Sequence, residues 1–211
     1  MTTADKKMKP MQMDSMYMGS TPERVYAFSD GVFAIIITIM VLELKSPRAA
    51  SFSALGELWP TWLSYGVSYA FIAVVWMNHH YLLKYAKAAT LRLMWANFAH
   101  LFSVSLIPFF TDWLAETRLM PVPVMMYAFV FLLANITYLW LVWELLCDET
   151  DRAVPVRVRR LLHVRSFITI SLFAGAMVVA FWFPLIAFAM ICSCLILYLR
   201  PELRTKNLML K

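Results

Sequence analysis

Apolar residues in this chain are grouped into long stretches, and short polar segments separate them. A helix needs ~20 predominantly apolar residues to cross a bilayer. Four stretches have about this length, and a fifth is too long for one crossing. The five lie at about 23–44, 58–83, 91–114, 122–146 and 161–199. Because Pro184 divides the last stretch, the pattern predicts two helices joined by a tight turn near Phe183. We therefore expect an all-α membrane protein with six transmembrane helices.

Composition supports a membrane protein over a soluble one. Hydrophobic residues make up 62% of the chain and charged residues 15%, whereas soluble domains carry about 45–50% and about 25%. The aromatic fraction of 15% argues against a disordered chain. The three cysteines form no metal-type pair, so we interpret Cys147, Cys192 and Cys194 as small hydrophobic residues.

The two ends of the chain are polar. We expect a mobile cytoplasmic arm over residues 1–22, a membrane domain over 23–200 and a cytoplasmic tail over 201–211. Six of the 15 methionines lie in the arm, and Met-x-Met spacing is one way to bind Cu(I). No His or Cys in the arm supports copper binding, and we favour a mobile tail. Thr21 is the expected N-cap of the first helix, with Pro22 at its first position.

The basic residues predict the orientation in the membrane. Of the 19 Lys and Arg residues, 16 fall on one side of the predicted helices. The other three are Lys45, Arg48 and Arg118. Cytoplasmic loops carry the excess of Lys and Arg, so both termini are predicted to be cytoplasmic. An even number of helices agrees with this orientation.

The first helix has a continuous stripe along one face. At 100° per residue, the residues of this stripe all lie within about 60° of Ile35. They are Arg24, Phe28, Gly31, Ile35 itself, Thr38, Ile39 and Leu42. Ser29 and Asp30 point in other directions, toward neighbouring helices. Ordinary helix packing and lipid contact produce the same periodicity, so the pattern alone leaves the role of the stripe open.

Asp30 needs polar partners, because a charged side chain in hydrocarbon costs at least ~2.5 kcal/mol. Candidate partners on the second and third spans are Asn78, His79, His80, Asn97 and His100. We interpret Asp30 as a carboxylate that locks helices together. His79 and His80 are adjacent on a helix, so their side chains diverge by about 100°. We therefore predict no metal site.

Two sequence motifs resemble a known family. Residues 24–30 read RVYAFSD, which fits the pattern Arg-x-x-x-Phe-Ser-Asp, and GVFAIIITIMVLEL follows. The second span ends in WMNHH, a basic loop follows, and Asn97 and Pro108 lie in the third span. Over residues 22–115 the chain resembles the transmembrane protein 175 (TMEM175) potassium channels. With one six-helix unit, it is similar to the prokaryotic single-repeat type.

The resemblance implies a potassium-selective channel built as a homotetramer, with K⁺ as the permeant ion and no cofactor. Four first helices would surround the pore, and their apolar side chains would form the constriction. Carried onto this chain, the pore lining is Ile35, Thr38, Ile39 and Leu42. The residues implied to brace the helix are Arg24, Phe28, Ser29, Asp30, His79, His80 and Asn97. Glu43 would lie at the outer mouth, where it either attracts cations or is a solvated carboxylate.

Three other functional classes compete with a channel. A proton- or ion-coupled transporter would use Asp30, His79 and His80 as a relay, but no inverted repeat or pair of broken helices appears. The sequence has no GxSxG, HExxH or paired-carboxylate motif, which argues against an enzyme. The five glycines form no TVGYG filter, so a re-entrant pore loop is not expected. An accessory membrane protein stays open.

Overall fold

The computed structural model describes residues 22–84, 86, 88–146 and 156–199. The described residues form helices joined by short loops. In chain order these are α1 (Pro22–Leu42), α2 (Phe52–Glu57), α3 (Trp59–Leu83), α4 (Leu91–Ser105), α5 (Ile107–Glu116), α6 (Pro121–Leu146), α7 (Val156–Val179) and α8 (Pro184–Leu199). Residues 1–21 of the expected arm, which include its six methionines and Thr21, lie outside the described residues, as do Cys147 and the tail.

The predicted third span is divided. α4 ends at Ser105 and α5 begins at Ile107, with Pro108 in its first turn. Proline has no backbone N–H, and its ring clashes with the carbonyl four residues earlier. The helical path is therefore interrupted at Leu106, within the stretch that the sequence predicted as one span over about 91–114.

One further helix boundary differs from the expected one, and the structure contains one additional short helix. α7 begins at Val156, five residues before the expected 161. The short helix α2 was not expected, and it starts where the Ser51 hydroxyl accepts a hydrogen bond from the Ala54 amide at 3.2 Å. The predicted break before Pro184 agrees with the structure, in which residues 180–183 form the turn between α7 and α8.

Among the described residues, three helical stretches are long and apolar enough to cross a membrane. They are Pro22–Leu42, Leu91–Glu116 and Pro121–Leu145. Two shorter apolar stretches follow, His163–Val179 and Pro184–Leu195. α3 is 25 residues long but includes Asn78, His79 and His80 near its end.

α6 lies in the middle of the bundle. It packs against α4, α5, α7 and α8, while α1 packs against α3, α4 and α5. The Phe71 and Phe131 rings stack with centroids 3.8 Å apart, and Phe173 meets Phe131 edge-on at 5.7 Å. In a membrane, van der Waals packing of this kind replaces the hydrophobic effect as the force between helices.

A buried hydroxyl cluster joins three helices. The Ser68 hydroxyl lies 2.7 Å from Thr111 Oγ1 and 2.6 Å from the Tyr127 hydroxyl. These residues come from α3, α5 and α6, and all three are buried. The hydroxyls satisfy one another, which fixes the relative height of the helices.

Candidate pore face of the first helix

α1 has one buried side and one exposed side. The residues that pack into the bundle are Ser29, Phe33, Ile36 and Met40. All seven residues of the predicted stripe are exposed in the single chain. Ile35 is 58% exposed and Leu42 is 80% exposed. An apolar face of this length, left uncovered by its own chain, is available to lipid or to another protein surface.

Thr38 is the polar member of that face. Its hydroxyl donates a hydrogen bond to the Ile35 carbonyl at 2.8 Å, within the same helix. The hydrogen is therefore directed at the backbone, and the oxygen lone pairs are left to accept from, or coordinate, a group outside the helix.

Ser29 ties the buried side of α1 to α4 and α3. Asn97 Nδ2 donates to Ser29 Oγ at 3.0 Å, and Ser29 Oγ donates to the Val25 carbonyl at 2.8 Å. Asn97 Oδ1 lies 2.7 Å from His79 Nε2, which acts as the donor. Ser29, His79 and Asn97 are all buried. The three side chains form a hydrogen-bonded link across three helices, which sequence periodicity did not assign.

His100 extends this link toward α6. Its ring stacks on the His79 ring with centroids 5.6 Å apart. His100 Nδ1 donates to the Ala134 carbonyl at 3.2 Å, because a carbonyl only accepts. The Phe33 ring of α1 lies 5.3 Å from the His79 ring and closes the apolar side of the cluster. The two histidines thus link α3, α4 and α6.

Asp30 contacts α3 at different residues. Trp76 Nε1 donates to Asp30 Oδ1 at 2.8 Å, and His80 Nδ1 lies 4.0 Å from Asp30 Oδ2. Of the five partners offered by the sequence, only His80 is near the carboxylate in these contacts. Trp76 was missed, although it lies four residues before His80 and therefore on the same helical face.

The other predicted residues of the first helix lie on its exposed side. The Phe28 ring meets the Phe98 ring of α4 edge-on, with centroids 5.6 Å apart. Arg24 is exposed near the start of α1, and Glu43 is exposed directly after its end. Phe28, like Ser29, therefore contacts α4, whereas Asp30 contacts α3.

Acidic and basic groups meet beyond the end of α1. Lys45 Nζ lies 2.9 Å from Glu116 Oε1, and both side chains are exposed. The hydrogen bond to Glu116 raises the pKa of Lys45 above its usual value. A cavity of about 20 Å³ lies beside this pair, with Glu43, Tyr65 and Asp112 in its wall. Among the described residues, no group of three or more His, Cys, Asp or Glu is placed to hold a metal ion.

Comparison with known proteins places this arrangement in a family. The family profile described as endosomal/lysosomal potassium channel TMEM175 matches residues 24–108. This stretch contains the exposed stripe, the Ser29 link and the Asp30 contacts.

Two individual proteins extend the comparison. A potassium channel from Chryseobacterium sp. strain P1-3 is 32% identical over 189 residues, which cover 89% of this chain and 97% of that protein. The mouse endosomal/lysosomal proton channel TMEM175 is 31% identical over 113 residues, or 48% of this chain and 22% of the mouse protein.

A solved structure agrees in fold. The crystal structure of a lysosomal potassium-selective channel TMEM175 homologue from Chamaesiphon minutus matches with a TM-score of 0.72 and 28% identity. The match covers 84% of this chain and 95% of that one. Potassium channels are not enzymes, so the similarity also places the chain outside the enzymes. Because the Chryseobacterium relative is matched over nearly its whole length, this chain belongs to the TMEM175 family of potassium channels.

Proposed function

We propose that this chain forms a channel that conducts K⁺ in preference to Na⁺, through a pore surrounded by α1 from four copies. The constriction consists of Ile35, Ile39 and Leu42, and Thr38 contributes a ring of hydroxyl oxygens. One observation carries the proposal: the stripe of α1 is exposed along its length, whereas the opposite face is buried against α3 and α4.

The chemistry of the stripe suits a gated cation pore. Apolar rings hinder the passage of a hydrated ion, and they gate by dewetting. K⁺ gives up its water more readily than Na⁺, so an apolar ring favours it. The Thr38 lone pairs, which do not take part in the bond to the Ile35 carbonyl, offer the ion an oxygen ligand inside the ring.

The proposed topology has six membrane spans and cytoplasmic termini. α3, which is long but more polar, supplies the second span, and the two shorter apolar helices supply the fifth and sixth. Glu43 then lies at the outer mouth, close to the Lys45–Glu116 pair. The excess of Lys and Arg on the opposite side supports this orientation.

Proton permeation is a second candidate, because the mouse relative, which is 31% identical over 113 residues, is described as a proton channel. A coupled transporter has no comparable support, since the relatives matched here are named as channels. Proton flux therefore belongs in the same experiment as potassium flux.

Ion flux through purified protein in liposomes tests the proposal. The mass of the purified assembly is measured first, and a tetramer is expected. K⁺ flux should exceed Na⁺ flux, and Ile35→Asn should raise the flux of both ions, because a polar ring hydrates more easily. Ile186→Asn is the matched control, since Ile186 is 55% exposed on α8, away from the stripe.

Each result has a defined meaning. Equal effects of Ile35→Asn and Ile186→Asn, or no effect of substitutions at Ile35, Ile39 and Leu42, would contradict a pore along α1. A tetramer that passes neither ion would contradict the channel itself. Proton flux without K⁺ flux would replace the proposed ion with the second candidate.

A further inference from the structure

α7 has an outward face whose character changes along its length. Arg160 and His163 are exposed in its first two turns. Val164, Phe167 and Ile168 follow on the same side and are 51%, 73% and 52% exposed. These positions are spaced by three and four residues, so they form one continuous strip on the helix.

The rotation of α7 is fixed by its buried face. Thr169 Oγ1 donates to Asn135 Oδ1 of α6 at 3.0 Å, inside the bundle. Phe173, one turn further, is buried and meets the Phe131 ring. Because one hydrogen bond and one ring contact hold the inner face, the strip of Arg160 and Phe167 stays directed away from the bundle.

This strip lies apart from the proposed pore face. α7 packs against α6 and α8, whereas α1 packs against α3, α4 and α5. A neighbouring copy that covers the α1 stripe is therefore not expected to cover α7 as well. The choice of a lipid over a second copy of the chain as the molecule that covers the α7 strip rests on the proposed function.

The basic part of α7 extends beyond Arg160. Arg157 and Arg159 belong to the same helix by their backbone, and no acidic residue occurs in its first turn. The apolar part begins at Val164, four residues after Arg160. At a rise of 1.5 Å per residue, this is about 6 Å along the helix axis. A positive group at the membrane surface with an apolar strip directly beneath it matches the two parts of a phospholipid.

We propose that the start of α7 binds an anionic phospholipid. Arg160 receives the phosphate of the head group, with His163 beside it, and an acyl chain lies along Val164, Phe167 and Ile168. Charge complementarity is the reason for an anionic lipid: the start of α7 is basic, and basic segments of membrane proteins are attracted to anionic head groups.

Native mass spectrometry of the purified protein tests this site. The probes are phosphatidylglycerol and phosphatidylcholine of the same chain length, added in matched amounts. We expect more bound phosphatidylglycerol than phosphatidylcholine. Arg160→Gln should weaken phosphatidylglycerol binding about fivefold, the effect of one basic residue near a membrane surface. Arg160→Lys should restore most of it, because lysine still pairs with a phosphate.

Two further variants define the result that overturns the proposal. Arg118→Gln removes an exposed arginine from the loop between α5 and α6 and should leave lipid binding unchanged. Phe167→Ser should weaken binding while Arg160 is kept, since the acyl chain loses its contact. Equal loss in the Arg160 and Arg118 variants, or no loss in either, contradicts the site.

A free anion is the other possible source of the phosphate. Excess inorganic phosphate should not displace phosphatidylglycerol, and full displacement would replace the lipid site with a phosphate site. The binding readout needs no ion current. Failure of the channel in liposomes and failure of lipid binding are therefore distinguishable.

Discussion

Asn97 is the residue through which α1, α3 and α4 are joined. Its amide donates to Ser29 and accepts from His79, so one substitution breaks both bonds. We expect Asn97→Ala to lower the free energy of unfolding in detergent by about 1–2 kcal/mol, because hydrogen bonds between membrane helices average about 0.6 kcal/mol and the partners are left buried. Thermal unfolding of the purified protein measures the change.

Ser105→Ala is the control for Asn97→Ala. The Ser105 hydroxyl is exposed and donates only to the Phe102 carbonyl of its own helix. Its removal should leave the unfolding temperature nearly unchanged. Similar values for the Asn97 and Ser105 variants would mean that the buried link between the three helices contributes no stability.

Asp30 is expected to act mainly on architecture. Asp30→Ala removes the acceptor of the Trp76 indole and the anion beside His80, so α1 is held less firmly against α3. We expect a lower yield of tetramer and an unchanged ratio of K⁺ to Na⁺ flux in the tetramers that form. Trp76→Phe, which keeps a ring and removes the donor, should have the same effect in weaker form. A full yield of tetramer with altered selectivity would contradict an architectural role.

Residue directions were predictable from the sequence, but residue partners were not. A rotation of 100° per residue correctly separated the exposed stripe from Ser29 on the buried face. It did not indicate that Ser29 would meet Asn97 or that Asp30 would meet Trp76. Those pairings depend on the height and rotation of α3 and α4 relative to α1. A tryptophan also counts as apolar in a hydropathy pattern, which conceals its donor.

Within the first helix, a substitution at Gly31 can distinguish packing within one chain from packing between chains. A Cβ added at Gly31 has no other atom within 4 Å in the single chain. Gly31→Ala should therefore keep the fold and favour the helix by about 1 kcal/mol. If α1 lines the pore, the four added methyl groups narrow it, and we expect a lower K⁺ flux from a tetramer of normal stability. Unchanged flux would place Gly31 away from the pore.

Helix positions followed from the sequence more closely than helix interruptions did. The apolar stretches gave the approximate limits of α1, α3, α6 and the break before Pro184. The break at Leu106 was missed because a proline inside an apolar stretch either kinks a helix or starts a new one, and hydropathy does not distinguish the two. α2 was missed because its six residues are too short for a periodic pattern.

The molecule exposes two long apolar surfaces, the stripe of α1 and the strip of α7, and these differ in charge. The apolar strip of α7 ends in arginines, so its environment can be argued from one chain. The stripe of α1 has one arginine at its start, Arg24, against three in the first turns of α7, and its apolar residues fit lipid as well as a pore. The assembly around α1 is therefore a proposal, and a measurement of the oligomeric mass tests it.

Orientation in the membrane can be tested with single cysteines. Ala50 lies in the exposed loop after α1, and Ala88 lies in the exposed loop between α3 and α4. Cys147, Cys192 and Cys194 are first replaced by alanine. Ala50 or Ala88 is then changed to cysteine in that background. Ala50→Cys should react with an impermeant maleimide in intact cells, and Ala88→Cys only after permeabilisation, because three basic residues flank the Ala88 loop. The reverse labelling pattern would mean that the protein has the opposite orientation in the membrane. Labelling of both cysteines in intact cells would mean that α3 does not cross the membrane.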